Sequence, residues 1–371
     1  MRKIPTNSDV FKLIEDLAPL YKAYDWDNVG LQIGSNRQQT TKIMITLDVL
    51  ETVVDEAIEK KVDLIIAHHP LLFKPLKQID LHTPEGRIIS KLIRHDISVY
   101  AAHTNLDVVK YGVNDMLARK LDLKKTKPLI TLGNEKLYKY VVYVPISHQN
   151  DVKQILGDAG AGEQGDYNHC SFQIEGEGSF RPLTGADPFI GKVGELVKVD
   201  EVKIEAIVSE SKLENVVNSV KATHPYEEPA FDIIPLKNKG ESWGLGRIGE
   251  VSTAMNFKQY VKQVKEKFDL TDVRVIGSLN KKIKKIAIVG GSGEKYIHAA
   301  KKSGADVYIT GDMSFHSAQD AWQMDLAVID AGHYIEKIMK EETRDYLQKQ
   351  LAVFDVEVTV SKVGTDPFQY M

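Results

Sequence analysis

Cysteine is almost absent from this chain of 371 residues, which carries a single one, Cys170. One thiol can neither form a disulfide within the chain nor supply a set of thiolate ligands, so a disulfide-stapled fold and a cysteine-based metal site are excluded. Long apolar runs are missing too, and no stretch is long enough to span a membrane. Residues 1–9 contain no apolar core of a signal peptide. We therefore expect a cytoplasmic protein without a membrane partner.

The chain also lacks a strong excess of charge of either sign. Its formal net charge is −4, so the molecule as a whole does not attract nucleic acid, and a nucleic-acid partner is disfavoured but stays open. A basic cluster at residues 281–285 is interpreted as the solvated start of a strand. The length is sufficient for two or more domains with separate hydrophobic cores.

The first third of the sequence contains an alternation of strand and helix patterns. Amphipathic spacing predicts helices at residues 51–61, 85–95 and 113–121. Short apolar runs predict strands at residues 42–47, 64–67 and 97–102. Strands separated by helices of this length indicate βαβ units and a mostly parallel sheet.

The pattern changes near residues 124–128 and returns after residue 236. Between these points, the elements follow the β-α-β-β-α-β order of ferredoxin-like domains. The predicted helices are 150–156 and 213–222, and the predicted strands are 137–145, 170–174, 195–199, 202–208 and 230–235. We predict a first part of an α/β core at 1–126, an inserted α+β domain at 127–236, and the second part of the core at 237–371.

The last segment resumes the α/β pattern. Its predicted helices are 257–268 and 336–351, and its predicted strands are 285–289, 305–310, 326–329 and 356–360. In both outer segments the strands end in clusters of polar residues. We therefore predict a pseudo-duplicated αβα core with mostly parallel sheets, interrupted by the inserted ferredoxin-like domain.

The most informative polar cluster is the pair His68 and His69, which follows the apolar run 64–67 and precedes Pro70. In open α/β sheets, ligands bind in the crevice at the carboxyl ends of the strands. Two partly buried imidazoles side by side cost desolvation, and a metal ion offsets that cost because neutral imidazole donates to it. For this pair, a metal site is favoured over simple packing.

A second strand end carries His333 and Glu336, which follow the strand at 326–329. If a helix begins near Gly332, both side chains project from one face of that helix. A capping carboxylate beside a chance histidine explains this spacing equally well. This pair alone therefore leaves the metal site open.

A third strand end carries His103 and Asp107, which follow the strand at 97–102. Either residue is a candidate ligand, because carboxylate oxygen complements imidazole in a mixed site. His103 is also a candidate for proton transfer, and a hydrogen-bonded strand-end histidine is an equal alternative.

Other polar and aromatic features receive structural interpretations. Asp48 and Asp312 also follow strands, and turn or cap roles are favoured for both. Residues 290–293 are rich in glycine but lack the spacing of a phosphate or dinucleotide loop, which favours a tight strand-to-helix turn. Trp26 is interpreted as packing within a loop.

Taken together, these segments resemble the NIF-three-like family, also labelled GTP cyclohydrolase 1 type 2 homologs. The matching motifs are residues 26–34, 67–70, 103–107, 311–312 and 330–333. The middle segment resembles the insertion of longer bacterial members, which is similar to the CutA and PII trimeric signalling folds. Residues 224–230 carry that likeness, and we interpret them as structural or inter-subunit.

The resemblance implies two divalent metal ions per chain, held by His68, His69, Asp107, His333 and Glu336. It also implies a toroidal homohexamer with the metal sites facing an inner cavity. In many shorter members the glutamate follows its histidine by four positions, but that position is Lys337 here, so Glu336 is expected to bridge the ions. Imidazole and carboxylate ligands favour zinc, with iron or manganese as alternatives, over magnesium or calcium.

These expectations indicate a metal-dependent hydrolase in which a hydroxide shared by two ions attacks a carbon or phosphorus centre of a small-molecule substrate. The family label suggests GTP ring opening, while a nucleotide or phosphoester substrate is equally compatible with the metals. Two alternatives stay open, namely a metal-binding regulatory protein without turnover and a nucleic-acid-binding hexameric ring.

Overall fold

The computed structural model describes residues 3–369. The chain divides into two compact units, which we call the core unit (residues 1–132 and 243–371) and the insert unit (residues 133–242). The insert that we predicted at 127–236 starts and ends a few residues earlier than the insert unit. Within residues 3–369, no helix combines the length and the apolar character that crossing a bilayer requires.

The first part of the core unit alternates strands and helices. Its strands are β1 (Gly30–Ile33), β2 (Lys42–Thr46), β3 (Leu64–Ala67) and β4 (Ser98–Ala101). Its helices are α1 (Asn7–Leu17), α2 (Glu51–Glu59), α3 (Pro84–Arg94), α4 (Thr104–Val108) and α5 (Val113–Lys120), with a 3₁₀ turn at Leu20–Lys22. All residues of β3 and β4 are buried, which explains why both read as continuous apolar runs.

The insert unit follows with the β-α-β-β-α-β order that the sequence predicts. Its elements are β5 (Lys124–Pro145), a 3₁₀ turn (Ile146–His148), α6 (Gln149–Asp158), β6 (Ser171–Phe180), β7 (Val197–Ser209), α7 (Glu210–Thr223) and β8 (Phe231–Asn256). The strands lie in the order β6-β7-β5-β8, and β7 is antiparallel to both β5 and β6. This arrangement confirms the ferredoxin-like class.

The two strands predicted at residues 195–199 and 202–208 are one strand, β7, so that prediction was wrong. Asp200 and Glu201 interrupt the apolar pattern, which suggested a loop. In the structure they pair with Glu177 and Gly176 of β6, and the ladder continues across them. A polar pair on a half-exposed strand keeps its backbone hydrogen bonds, so polarity alone did not mark a break.

The second part of the core unit completes the α/β pattern. Its helices are α8 (Phe257–Phe268), α9 (Ile297–Lys302), α10 (Phe315–Gln323) and α11 (Ile338–Gln350), with 3₁₀ turns at Glu294–Tyr296 and His333–Lys337. Its strands are β9 (Arg274–Ile276), β10 (Lys282–Ser292), β11 (Val307–Gly311), β12 (Ala327–Asp330) and β13 (Glu357–Val360).

Two sheets form the core unit. One has the order β1-β4-β3-β2-β13, in which every neighbouring pair is parallel except β1 with β4. In the other, β10, β11 and β12 are parallel neighbours, flanked by antiparallel β8 and β9. One apolar cluster contains residues of both sheets, such as Ile45 of β2 and Ile288 of β10. The predicted α/β core with sheets that are parallel in their centres is confirmed.

Candidate metal centre

The candidate centre lies at the carboxyl ends of parallel strands from both sheets of the core unit. The side chains gathered there follow β2 (Asp48), β3 (His68 and His69), β4 (His103 and Asp107), β11 (Asp312) and β12 (His333 and Glu336). The candidate ligands form three overlapping groups, and within each group the ligand atoms lie within 4.8 Å of one another. The groups are His68, His69 and His103; His69, His333 and Glu336; and His68, Asp107 and Glu336. The structure therefore brings all the candidate ligands of the sequence into one place.

His68 is fully buried, and only one of its ring nitrogens has a hydrogen-bond partner. Nδ1 donates to the backbone carbonyl of Ala102, with 2.8 Å between the heavy atoms. Nε2 faces Oδ1 of Asp107 at 3.5 Å, and neither atom has a hydrogen-bond partner. Burial lowers the pKa of His68 to about 3, although the charge of Glu336 opposes that shift, so the ring is neutral and Nε2 carries a lone pair.

His69 is held by a carboxylate on one side and faces the centre on the other. Its Nδ1 lies 2.7 Å from Oδ1 of Asp48, and Oδ2 of Asp48 accepts a hydrogen bond of 2.5 Å from the hydroxyl of Thr365. Burial disfavours the charged ring, but hydrogen bonds to Asp48 and Glu336 outweigh that effect and raise the pKa of His69 to about 10. Two carboxylates therefore hold the ring, with Nδ1 toward Asp48 and Nε2 toward Glu336.

His333 is oriented in the same manner from the second sheet. Its Nδ1 lies 2.7 Å from Oδ2 of Asp312, and its Nε2 lies 3.2 Å from Oε2 of Glu336. The hydrogen bond to Glu336 raises the pKa of His333 to about 9 against the opposing effect of burial. We favoured turn or cap roles for Asp48 and Asp312; the structure instead gives each a hydrogen bond to an imidazole of the centre.

The helical start considered near Gly332 is present, and α11 begins at Ile338, two positions after the start predicted at 336. A 3₁₀ turn at His333–Lys337 precedes α11, and Gly332 enters it with φ at 76°. In a 3₁₀ turn, side chains three positions apart eclipse each other, so Glu336 stands beside His333. Lys337 instead lies over the ring of Tyr334. The tighter turn explains why a glutamate three positions after the histidine, rather than four, reaches the centre in this chain.

The carboxylate of Glu336 lies in the middle of the imidazoles. Its Oε2 atom is 3.3 Å from Nε2 of His69, in addition to its contact with His333, and 3.9 Å from Nε2 of His68. Burial disfavours its charge, but hydrogen bonds from His333 and His69 outweigh this and hold the pKa of Glu336 well below its usual range. Burial and the charge of Glu336 raise the pKa of Asp107 well above its usual range. Without a cation, the two carboxylates cannot both keep their charge at low cost.

Gly291 is required by the close approach of the backbone to this carboxylate. Its φ is 62°, and a Cβ atom built at this position would lie 2.7 Å from Oε1 of Glu336. The glycine-rich residues 290–293 belong largely to β10, which ends at Ser292. Their small size therefore makes room for the centre.

His103 and Asp27 form a hydrogen-bonded pair at the edge of the centre. His103 Nδ1 lies 2.9 Å from Oδ1 of Asp27, whose side chain is fully buried. The other Asp27 oxygen accepts from the amide (3.0 Å) and the hydroxyl (2.5 Å) of Thr104. Burial disfavours the carboxylate, but these hydrogen bonds lower the pKa of Asp27 to about 2. Sequence reasoning missed Asp27; its only signal was its place inside the matched motif at 26–34.

A cavity of about 600 Å³ opens onto these groups. Trp26 lines it and is 57% exposed, so this residue also forms part of the cavity wall in addition to the loop packing that we assigned to it. Its ring lies 5.8 Å from that of Tyr24 at 17° and 5.8 Å from that of Phe73 at 62°. Tyr296 and Lys295 line the same cavity. The centre thus faces a space with aromatic walls and a cationic side chain.

Comparison with known proteins gives consistent matches over the whole chain. The profile described as Duf34/NIF3 (NGG1p interacting factor 3) matches residues 5–367. A Bacillus subtilis (strain 168) protein named GTP cyclohydrolase 1 type 2 homolog is 48% identical over 373 residues, covering 100% of both chains. The crystal structure of a Bacillus cereus protein related to NIF3 has 44% identity and a TM-score of 0.92 over 100% of both chains. A Staphylococcus aureus crystal structure has 37% identity and a TM-score of 0.71 over 99% of both chains.

Proposed function

The chain belongs to the Duf34/NIF3 family, and from that premise we propose that it is a hydrolase that depends on two divalent metal ions. The proposed ligands are His68, His69, Asp107, His333 and Glu336. Glu336 is the proposed bridge, because one of its oxygens faces imidazole nitrogens from both sheets. Assembly into a homohexamer remains a prediction.

The observation that carries this proposal is the pattern of hydrogen bonds around the imidazoles. Each of the four rings has its Nδ1 atom tied to an oxygen outside the proposed set of ligands, namely Ala102 O, Asp48 Oδ1, Asp27 Oδ1 and Asp312 Oδ2. A metal-binding histidine commonly has its second nitrogen fixed in this way, which leaves Nε2 free to bind. Nε2 of His68 and Oδ1 of Asp107 are buried without a partner, a costly state that a cation relieves. The residues present therefore fit a metal centre.

The donor types narrow the choice of ion. Three imidazoles and two carboxylates suit zinc, iron or manganese better than calcium or magnesium, and the chain offers no thiolate here. Zinc is the ion we propose first. When bound, such ions lower the pKa of a coordinated water toward neutrality and polarise the bond under attack.

His103 is the proposed proton-transfer residue. Asp27 fixes the proton on Nδ1, so Nε2 is the atom that accepts or returns a proton. The two hydrogen bonds from Thr104 keep the Asp27 carboxylate charged and its orientation fixed. Because one ring nitrogen of His103 lies within 4.8 Å of ring nitrogens of His68 and His69, a ligand role is the alternative that the experiment must separate.

The walls of the cavity favour a substrate with a planar ring. Tyr24, Trp26 and Phe73 offer faces and edges on which a heterocycle can stack, and Lys295 suits a phosphate or another anionic group. The name of the Bacillus subtilis relative, GTP cyclohydrolase 1 type 2 homolog, agrees with this chemistry. We therefore propose a nucleotide or a related heterocyclic compound as the substrate class.

The test begins with metal analysis of the purified full chain, followed by hydrolysis assays on nucleotides, simple phosphoesters and cyclic amides. We expect His103→Gln to keep the metal content and to lower kcat by about 100-fold, the usual scale for a lost acid–base residue. His95→Gln is the matched control, because His95 is exposed and outside the centre. If His103→Gln loses metal, the result indicates that His103 is a metal ligand rather than the proton-transfer residue.

A second variant tests the substrate class. Trp26→Leu should raise KM for nucleotides and leave KM for small non-aromatic phosphoesters unchanged, because only the former lose a stacking surface. If the fully metal-loaded protein hydrolyses no compound of the panel, the proposed hydrolase activity is overturned. The alternative of a metal-binding regulatory protein is then favoured.

A further inference from the structure

The segment of residues 224–230 arches over a single residue of β5 in the insert unit. Nε2 of His224 donates to the carbonyl of Tyr143 at 2.9 Å, and the amide of Tyr143 donates to the carbonyl of Ala230 at 3.2 Å. Within the arch, the amide of Tyr226 donates to Nδ1 of His224 at 3.1 Å. Burial lowers the pKa of His224, so the ring is neutral, as these hydrogen bonds require. The motif is therefore a fixed structural element that needs no metal ion.

The arch forms one side of a cavity of about 340 Å³ that the proposed hydrolase does not use. Residues 178–189 and Glu201 of β7 supply other parts of the wall. The volume is within the range of small-molecule sites, which begins at about 300 Å³. A cavity of this size, framed by a fixed loop, is large enough for a compact ligand.

Aromatic rings stand around this cavity at large angles to one another. The ring of Tyr226 lies 5.6 Å from that of Phe180 at 63°, and 6.3 Å from that of Phe189 at 51°. Tyr143 lines the cavity as well. The rings therefore contact one another at an angle rather than in a stack, and all of them belong to the wall of one cavity.

The same cavity carries an excess of negative charge. Its lining includes three acidic residues, Glu201, Glu227 and Glu228, against one basic residue, Arg181. Glu201 is fixed in place, because its Oε1 accepts from the hydroxyl of Tyr226 at 2.9 Å. A Cβ atom built at Gly178 would lie 2.0 Å from the other oxygen of Glu201, so the carboxylate packs directly against that glycine.

We propose that this cavity binds a small organic cation with an alkylated or quaternary ammonium group. Aromatic rings attract such cations through their negative faces, and recognition of quaternary ammonium by aromatic cages is the best-known use of this interaction. The carboxylates add attraction for a positive charge and disfavour an anion. An alkylated ammonium also needs few hydrogen-bond donors or acceptors, which suits walls that include four aromatic rings and two prolines.

The first experiment compares choline with its uncharged isostere, 3,3-dimethylbutan-1-ol, by calorimetric titration of the full chain. We expect the isostere to bind at least about tenfold more weakly, because it loses the cation–π attraction. Equal binding of the two compounds would reduce the site to an apolar cavity and overturn the proposal. Absence of choline binding, or its displacement by inorganic phosphate, would overturn it as well.

Variants locate the binding. Phe189→Leu keeps an apolar side chain but removes a π face, and Glu201→Gln keeps an acceptor for Tyr226 but removes a charge. Each should weaken choline binding by about fivefold or more. Phe172→Leu is the control, because Phe172 is an exposed phenylalanine of β6 in the same unit and does not line the cavity. Loss of binding in this control, or unchanged binding in both cavity variants, would contradict the assignment. The metal content should stay constant throughout, since all proposed ligands belong to the core unit.

Discussion

Two buried histidines, His68 in the core unit and His224 in the insert unit, share several features but differ in how their ring nitrogens are partnered. Burial lowers the pKa of both rings, and each stands within two positions of a proline in the sequence. His224 has a partner on each ring nitrogen. His68 has one on Nδ1, while its Nε2 is buried without a partner.

The difference teaches how a structural histidine is distinguished from a ligand. A buried imidazole whose two nitrogens are both satisfied gains nothing further from a cation. In His68, by contrast, Nε2 has no hydrogen-bond partner and faces Oδ1 of Asp107, which has none either. The desolvation cost of these two buried atoms is therefore uncompensated. Such a pair is stable when an ion completes it, so the core unit should depend on metal and the insert unit should not.

Removal of metal by a chelator tests this contrast most strongly. An ion present at 1,000 times its dissociation constant stabilises the folded state by about 4 kcal/mol, and the chelator removes that stabilisation. We expect amide hydrogen exchange to accelerate in β3 and in the 3₁₀ turn at His333–Lys337, with no change in β7 and α7. Zinc should restore the original rates. Equal acceleration in both units would contradict the distinction.

Substitution of the two histidines is the next test. His68→Ala should weaken metal binding by more than about 100-fold, because it removes a ligand rather than a group that orients one. His224→Ala should leave metal binding unchanged and destabilise the insert unit by about 1–3 kcal/mol, since Tyr143 and Tyr226 lose buried hydrogen bonds. Competition with a chromophoric chelator and thermal unfolding give the two readouts. Metal loss in His224→Ala would break the comparison.

A smaller effect is expected at the carboxylate that orients His333. Asp312→Asn keeps the shape of the side chain but removes the charge that fixes Nδ1, and metal affinity should fall about tenfold. Asp320→Asn on α10 is the control, because Asp320 is exposed and is not one of the residues of the candidate centre. An unchanged affinity in Asp312→Asn would show that the hydrogen bond does not support the metal ligand.

The smallest effect concerns Thr365, which acts on the centre through Asp48. Thr365→Val removes one hydroxyl hydrogen bond, worth about 1 kcal/mol, so metal affinity should fall about fivefold. Thr359→Val removes a similar hydroxyl bond, from β13 to the carbonyl of Ile43, and should alter stability without altering affinity. Identical affinities in the two variants would exclude a role for Thr365 in orienting His69.

The sequence was sufficient to place the residues at the ends of strands. Apolar runs ending in His68, in His103 and near His333 predicted a shared location, because the carboxyl ends of parallel strands meet at one edge of a sheet. The structure brings these residues together. Local pattern and a general rule about sheets were enough for this step.

The partners that orient the imidazoles could not be predicted in the same way. Asp48 lies 21 positions before His69 and 317 positions before Thr365, so no local spacing connects them. Asp27 is 76 positions from His103. These hydrogen bonds exist only after the sheets and the segment beyond β13 have packed, and tertiary packing leaves no periodic trace in the sequence.

Exposure was the other quantity that the sequence did not give. An aromatic residue in a loop usually packs against the protein, yet more than half of the Trp26 side chain remains open to the cavity. Glu201 led to a different error. Its charge suggested an exposed loop, but the residue lies inside the continuous strand β7. Both side chains line a cavity. A cavity forms only when distant parts of the chain have folded together, so a local sequence pattern does not reveal it.

The contact between Thr365 and Asp48 also has a consequence for biosynthesis. Translation proceeds from the amino end, so His68 and His69 leave the ribosome long before β12, Glu336 and β13 have been made. A partly translated polypeptide exposes an incomplete set of candidate ligands, and its Asp48 lacks the hydroxyl of Thr365 that donates to it in the folded chain. The metal binding that we propose therefore requires nearly the entire polypeptide to have emerged, and a prematurely released product lacks the complete set of candidate ligands.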